Sequence, residues 1–129
     1  MTRFSKIILL IATVSLITSA PAMAADPDVS KTVLTSEGDV AVVILSVKAR
    51  GRSVYGVTIT DATESIEDIV APSGWVGIAS GDRVTFRTVD TPIASGASLA
   101  FRLVTKNAQA GLSVTFRDSK SPFGSKKSL

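Results

Sequence analysis

The chain has no cysteine and no histidine. The first absence removes any disulfide framework, any thiolate nucleophile and any cysteine that could be acylated as a lipid anchor. The second removes the imidazole on which Ser-His-Asp and Cys-His catalysis depend, and together they remove the usual zinc ligands. Aromatic side chains are also scarce: five phenylalanines, one tyrosine (Tyr55) and one tryptophan (Trp75) in 129 residues. Stacking on sugars needs flat, exposed apolar rings with polar neighbours, so the supply for such a platform is thin. A Ser-Lys pair built on Lys48 or Lys106 is the remaining route to covalent catalysis, but no serine stands in a context that would activate it. The expectation is a protein that is not an enzyme.

A membrane-length hydrophobic run is lacking too. The first residues, "MTRFSKIILLIATVSLITSAPAMAADPDVS", carry Arg3 and Lys6, then an apolar stretch from Ile7 to Ile17, then the small-x-small triplet Ala22-Met23-Ala24. That order is the signature of a cleaved signal peptide, and the apolar stretch is too short to remain as a membrane span. Cleavage after Ala24 is expected, which assigns residues 1–24 to the signal peptide and sends the mature chain to the periplasm, the cell surface or the medium. Losing Arg3 and Lys6 from the 14 basic residues leaves 12 against 11 acidic ones, a formal net charge of +1. A chain so nearly neutral lacks the basic surface that releases counterions from phosphates, so no nucleic-acid partner is expected.

What is present reads as strands. Val84 and Phe86 alternate with Arg83, Thr85 and Arg87 in "DRVTFRT"; Leu99, Phe101 and Leu103 alternate with polar or small residues in "ASLAFRLVT"; Leu112, Val114 and Phe116 do so in "GLSVTFRD". Period-two alternation gives each segment one buried and one wet face, the habit of antiparallel strands. "VAVVILSV" is apolar almost continuously from Val40 to Val47 and is expected as a central strand covered on both faces or flanked by another layer. "VSKTVLT" and "SVYGVTIT" add two more. Gly38, Gly51, Gly81, Gly96 and Gly111 separate the apolar runs, where tight turns are needed. "DATESIEDIV" is expected as a crossover loop with a short strand or a single helical turn. These segments predict an all-β domain of about seven strands over residues 25–118, a sandwich or small barrel. Residues 119–129, with Pro122, Gly124 and three lysines but no periodicity, are expected as a disordered basic tail.

The order "PSGW", "GDRVTFRT", "TPIASGASLAFRL", "GLSVTFRD" resembles immunoglobulin-like β-sandwich modules of secreted and cell-surface bacterial and archaeal proteins. The matching positions are Pro72, Gly74 and Trp75, then Val84 and Phe86, then Pro92, Gly96 and Phe101. "VVILSVKARGRSVYGVTITD" is similar to the preceding pair of strands. The resemblance implies an immunoglobulin-like antiparallel sandwich and carries no activity with it.

Four residues are candidate ligand contacts: Trp75, Tyr55, Arg83 and Arg87. In an extended "GWVGIAS" one face carries Trp75, Gly77 and Ala79 and the other Val76, Ile78 and Ser80, so parity alone leaves the indole either inside or out. The resemblance favours the core. Arg83 and Arg87 flank Thr85 on the wet face of one strand, with Arg102 and Arg117 outward on the next two. If they share a face they form an anion site, although in an immunoglobulin-like topology the "VTF" strand usually lies opposite the last two. Asp61, Glu64, Glu67 and Asp68 supply oxygen ligands of the kind calcium takes, but without the spacing or glycine of a calcium-binding loop, and a solvated acidic loop is the plainer reading. No cofactor is otherwise implied. The expected function is a secreted, non-enzymatic binding or adhesion module acting through loops or a strand edge on another extracytoplasmic protein or a surface polysaccharide. A carbohydrate-binding module using Trp75 and Tyr55 and a calcium-stabilised adhesion domain are the alternatives.

Overall fold

Alternating β-branched and aromatic side chains build nine strands in the computed structural model, which describes residues 26–38, 40–61, 66–106 and 111–129. They are β1 (Asp28–Glu37), β2 (Val40–Lys48), β3 (Gly56–Asp61), β4 (Ile66–Val70), β5 (Val76–Ser80), β6 (Arg83–Arg87), β7 (Ser98–Thr105), β8 (Leu112–Arg117) and β9 (Pro122–Ser128). The signal peptide read from residues 1–24 lies outside the described residues. No helix occurs among them, and every strand pairing is antiparallel. The strands form a four-stranded sheet in the order β1-β2-β7-β4 and a five-stranded sheet in the order β5-β6-β3-β8-β9. The all-β, two-sheet expectation is met, with more strands than the expected seven. Two of the nine, β4 and β9, come from stretches that show little alternation.

Between the sheets lies one core. Ala41, Val43, Leu45 and Val47 of β2 and Phe101 and Leu103 of β7 face Val57 and Ile59 of β3, Val84 and Phe86 of β6, and Leu112, Val114 and Phe116 of β8. Those of β3, β6, β7 and β8 are the positions that alternation assigned to one face, whereas the inner row of β2 comes from a run that is apolar almost continuously. Phe86 and Phe101 meet across the two sheets with ring centroids 4.9 Å apart. Full burial of such a side chain is worth about 1.5–3 kcal/mol, so this set carries most of the cohesion of a chain that has no disulfide. The double covering expected for β2 is only half present. Val42, Ile44 and Ser46 on its other face are partly exposed, because among the described residues no further layer lies over them.

Residues 119–129 correct the expectation of a disordered tail. β9 pairs with β8, and Phe123 lies opposite Phe116 with ring centroids 6.4 Å apart. Leu129 and Leu112 exchange both backbone hydrogen bonds, at 2.8 and 3.3 Å. The guanidinium of Arg52 lies 4.9 Å above the Phe123 ring. At the turn between the strands the Asp118 carboxylate accepts the backbone N–H groups of Lys120 and Ser121, both at 2.8 Å. Asp26, just ahead of β1, accepts from the Ser125 amide at 3.3 Å and pairs with Lys127 at 3.5 Å. With Phe123 and Leu129 as its only large apolar residues, the segment has no hydrophobic period. Backbone pairing and these contacts order it instead.

Those two carboxylates make the attachment sensitive to acid. The amides of Ser121 and Lys120 hold Asp118 below the usual carboxylate range, with Arg52 contributing. The Ser125 amide does the same for Asp26, with Lys127 behind it. A lowered folded-state value means stability that is complete above the unfolded pKa of about 4 and is lost as pH falls through the folded value. Thermal melts across the acid range will therefore show a steepening loss below about pH 4 that is shallower in Asp118→Asn. Deleting residues 119–129 will lower the melting temperature, and an unchanged melt would show that β9 adds nothing to the sandwich.

Candidate functional site

Trp75 is 7% exposed and belongs to the core. It follows the turn Pro72-Ser73-Gly74, in which the Trp75 amide donates to the Pro72 carbonyl at 3.0 Å and Gly74 adopts φ 84°, a conformation that favours glycine. The indole packs edge-on against Phe101 with centroids 5.2 Å apart, and its Nε1–H donates to the Thr91 carbonyl at 3.0 Å. The hydroxyls of Thr88 and Thr91 lie 2.7 Å from each other and 2.8 and 3.0 Å from the Gly74 carbonyl. Each hydroxyl has one proton, so one donates to that carbonyl and the other to its neighbour. A side chain at Gly74 would collide with Thr91. The turn, the indole and the 88–91 loop thus form one latch, and the ring is unavailable for stacking on a ligand.

The described acidic candidates are not brought together. Asp61 is buried at the end of β3 in the five-stranded sheet, its amide donating to the Asp82 carbonyl at 2.8 Å. Glu67 and Asp68 stand on β4 in the other sheet, exposed. Glu67 pairs with Lys106 at 3.6 Å, and Asp68 accepts the Ile69 amide at 2.9 Å. Glu64 lies outside the described residues. Among those residues no group of three or more potential metal ligands forms.

The arginines fare differently. β6 lies beside β3 in the same sheet as β8, so Arg83, Arg87 and Arg117 share one outer face, and only Arg102 is on the other sheet. This departs from the expectation that separated the "VTF" strand from both later strands. The register aligns three rows across that face: Ser80, Arg83, Thr60 and Ser113; Ile78, Thr85, Thr58 and Thr115; Val76, Arg87, Gly56 and Arg117. Strands lie about 4.8 Å apart and rise about 3.3 Å per residue. The stems of Arg87 and Arg117 are therefore about 10 Å apart across Gly56, and those of Arg83 and Arg87 about 13 Å apart along β6. A Cβ at Gly56 would meet Cγ of Arg117 at 2.5 Å, so the arginine lies across the space that glycine leaves. Its Nη2 donates to the Lys120 carbonyl at 3.2 Å, while its buried Nε has no hydrogen-bond partner.

Two shallow depressions mark this side. One of about 470 Å³ is lined by Thr58, Thr60, Arg83, Ser113, Thr115 and Lys126. Another, of about 230 Å³, is lined by Tyr55, Arg87, Thr88 and Asp118 among others, so two of the sequence candidates, Tyr55 and Arg87, do meet. No carboxylate projects outward from the strands of this face among the described residues. Sequence reasoning missed Thr58, Thr60, Thr115, Ser113 and Lys126. The parity of the threonines and of Ser113 was readable in "VTIT" and "SVTFR", whereas Lys126 lies in a stretch without a period, and their common face depended on which strands pair.

No protein-family model matches the chain, and no curated protein matches it. Similar folds occur among solved structures. A GH20 exo-β-N-acetylglucosaminidase from Vibrio harveyi aligns over 81% of this chain and 17% of its own, with 9% identity and a TM-score of 0.54. A DUF4466 family protein from Parabacteroides merdae aligns over 83% of this chain and 44% of its own, with 5% identity and a TM-score of 0.51. This chain spans less than half the length of either, and the likeness is one of fold.

As the chain's single tryptophan, Trp75 reports alone. Its emission will be blue-shifted and resistant to iodide in the folded chain, and Trp75→Ala will cost about 3–5 kcal/mol in denaturant unfolding. A red-shifted, readily quenched indole in a folded protein would contradict the burial described above.

Proposed function

We propose that the chain is an exported, immunoglobulin-like, non-enzymatic binding module that docks an acidic extracytoplasmic protein on the outer face of its five-stranded sheet. The observation that carries this reading is the composition of that face. Arg83, Arg87, Arg117 and Lys126 surround a field of threonine and serine hydroxyls on strands that turn no carboxylate outward, with Asp90 and Asp118 only at the loop margin beside Arg87. Export is supported by the leader pattern in residues 1–24. The immunoglobulin-like reading rests on the turn and core positions Pro72, Gly74, Trp75, Val84, Phe86, Pro92, Gly96 and Phe101 within two antiparallel sheets.

Spacing selects the partner class. A linear polyanion presents charges every few ångströms and is best met by a continuous cationic track. Here the arginine stems stand about 10–13 Å apart, with Thr85 between Arg83 and Arg87 and Gly56 between Arg87 and Arg117. That arrangement suits a folded surface offering a few carboxylates at matching separations, with hydroxyls supplying hydrogen bonds over the intervening area. Neutral sugars lose their best residue with Trp75 in the core. Tyr55, half-buried beside Arg87, offers one ring where stacking sites use several.

The test is affinity capture from an extracytoplasmic extract of the source organism on the immobilised chain. An acidic protein will be retained, released by salt, and bound at least about tenfold more weakly, or 1.4 kcal/mol, by Arg83→Glu/Arg87→Glu. The control Lys48→Glu/Arg102→Glu, altered on the opposite sheet, will retain it. Recovery of a polysaccharide in place of a protein, or retention unaffected by the first variant, would overturn the reading.

A further inference from the structure

Four strands end the two sheets, and three of them carry the features that keep sheet edges from pairing. β1 has a bulge between Val33 and Thr35 and turns Lys31 to the inner face opposite Leu45. β4 has a bulge between Ile66 and Asp68 and carries Glu67 and Asp68. β9 starts at Pro122, contains Lys126 and Lys127, and shifts register against Val114 and Phe116. β5 has none of these. Its sequence VGIAS holds no charge and no proline, and its register with β6 runs unbroken from Val76 to Ser80.

The same strand also breaks the character of its face. Thr, Ser and Arg fill the outward positions of β6 and β8, whereas β5 turns Val76 and Ile78 outward, each 64% exposed. Alternate residues of an edge strand direct their amide and carbonyl groups away from the sheet, so this apolar pair sits beside unused hydrogen-bonding groups.

We propose that β5 is the seam of a symmetric dimer, in which the β5 edges of two copies of this chain pair antiparallel about Gly77. The strand is complementary to itself in that register. Val76 of each copy lies against Ile78 of the other on the outer face, and Gly77 meets Gly77, so four exposed aliphatic side chains cover one another. Charge permits the pairing as well. The nearest outward cations, Arg83 and Arg87, stand one strand in, and the two Arg87 stems, three strand spacings across and two residues out of register, are about 16 Å apart, beyond the Debye length of about 8 Å at physiological salt. An acidic peptide would gain nothing from an uncharged strand, whereas a second copy offers the matching valine and isoleucine. The paired sheets form a continuous ten-stranded face. The inference rests on the edge alone and stands whether or not that face docks a partner.

Two five-residue strands bury less than the roughly 1,200 Å² of a stable interface, so the dimer will be weak and dependent on concentration. Sedimentation of the purified chain between about 10 µM and 1 mM will show a monomer–dimer equilibrium that Val76→Lys/Ile78→Lys abolishes while the melting temperature stays within a few degrees. Since the chain has no cysteine, single replacements read the register directly. A mixture of Val76→Cys and Ile78→Cys will oxidise to the mixed dimer, and neither variant alone will cross-link efficiently. A monomer throughout that range, a dimer that survives both lysines, or cross-linking of either cysteine variant by itself would overturn the proposal.

Discussion

The contact between Phe86 and Phe101 is the constraint on which the rest of this molecule depends. One ring belongs to the five-stranded sheet and the other to the four-stranded sheet, and with no disulfide the layers are held by burial. Trp75 completes the cluster, its ring nearly perpendicular to Phe101 with centroids 5.2 Å apart. Its Nε1–H then ties the cluster to the 88–91 loop through the Thr91 carbonyl. Gly77 belongs to the same arrangement, because a Cβ there would come within 2.8 Å of the Phe86 ring and 2.9 Å of Ile69. The ring needs that space, and the strand that bears the glycine is drawn close to β4 at the side of the sandwich.

Placing Phe86 inward decides what faces outward. A strand has only two faces, so burying Val84 and Phe86 commits Arg83, Thr85 and Arg87 to solvent, and burying Val57, Ile59, Val114 and Phe116 commits Thr58, Thr60, Ser113, Thr115 and Arg117. A slip of one residue in β6 would move both arginines into the core and both apolar residues out of it. The hydroxyl and cation surface is therefore fixed by the same register as the core. Its geometry is as rigid as the packing beneath it, without relying on loops.

This coupling explains what could be read from the chain and what could not. Val84, Phe86, Phe101, Leu103, Leu112, Val114 and Phe116 reveal their faces by alternation, which is a local property, and the structure buries all of them. The neighbours of β6 are set by long-range pairing, on which alternation is silent, so the company of Arg83 and Arg87 could not be read. Trp75 was ambiguous for a related reason: both faces of GWVGIAS carry apolar residues, and the answer came from a hydrogen bond to Thr91, sixteen positions away. β9 escaped because its order comes from backbone pairing and from Asp26 and Asp118, neither of which leaves a hydrophobic period. The acidic run from Asp61 to Asp68 looked like a cluster in sequence, yet its described members fall on two different sheets.

The distribution of charge bears on whether the outer face serves only solubility. Charged side chains that discourage aggregation belong on sheet edges, and β1, β4 and β9 carry them. Arg83, Arg87 and Arg117 instead occupy β6 and β8, interior strands whose backbone groups are already paired on both sides. Edge protection gives no reason for them there. Solubility alone favours both signs interspersed, yet this face is cationic in a chain whose acidic and basic residues nearly balance. The arginines stand where pairing is impossible, and the uncharged strand stands where pairing is open. Opposite defaults on adjacent strands of one sheet are the arrangement expected if the face meets an acidic surface and the edge meets a strand.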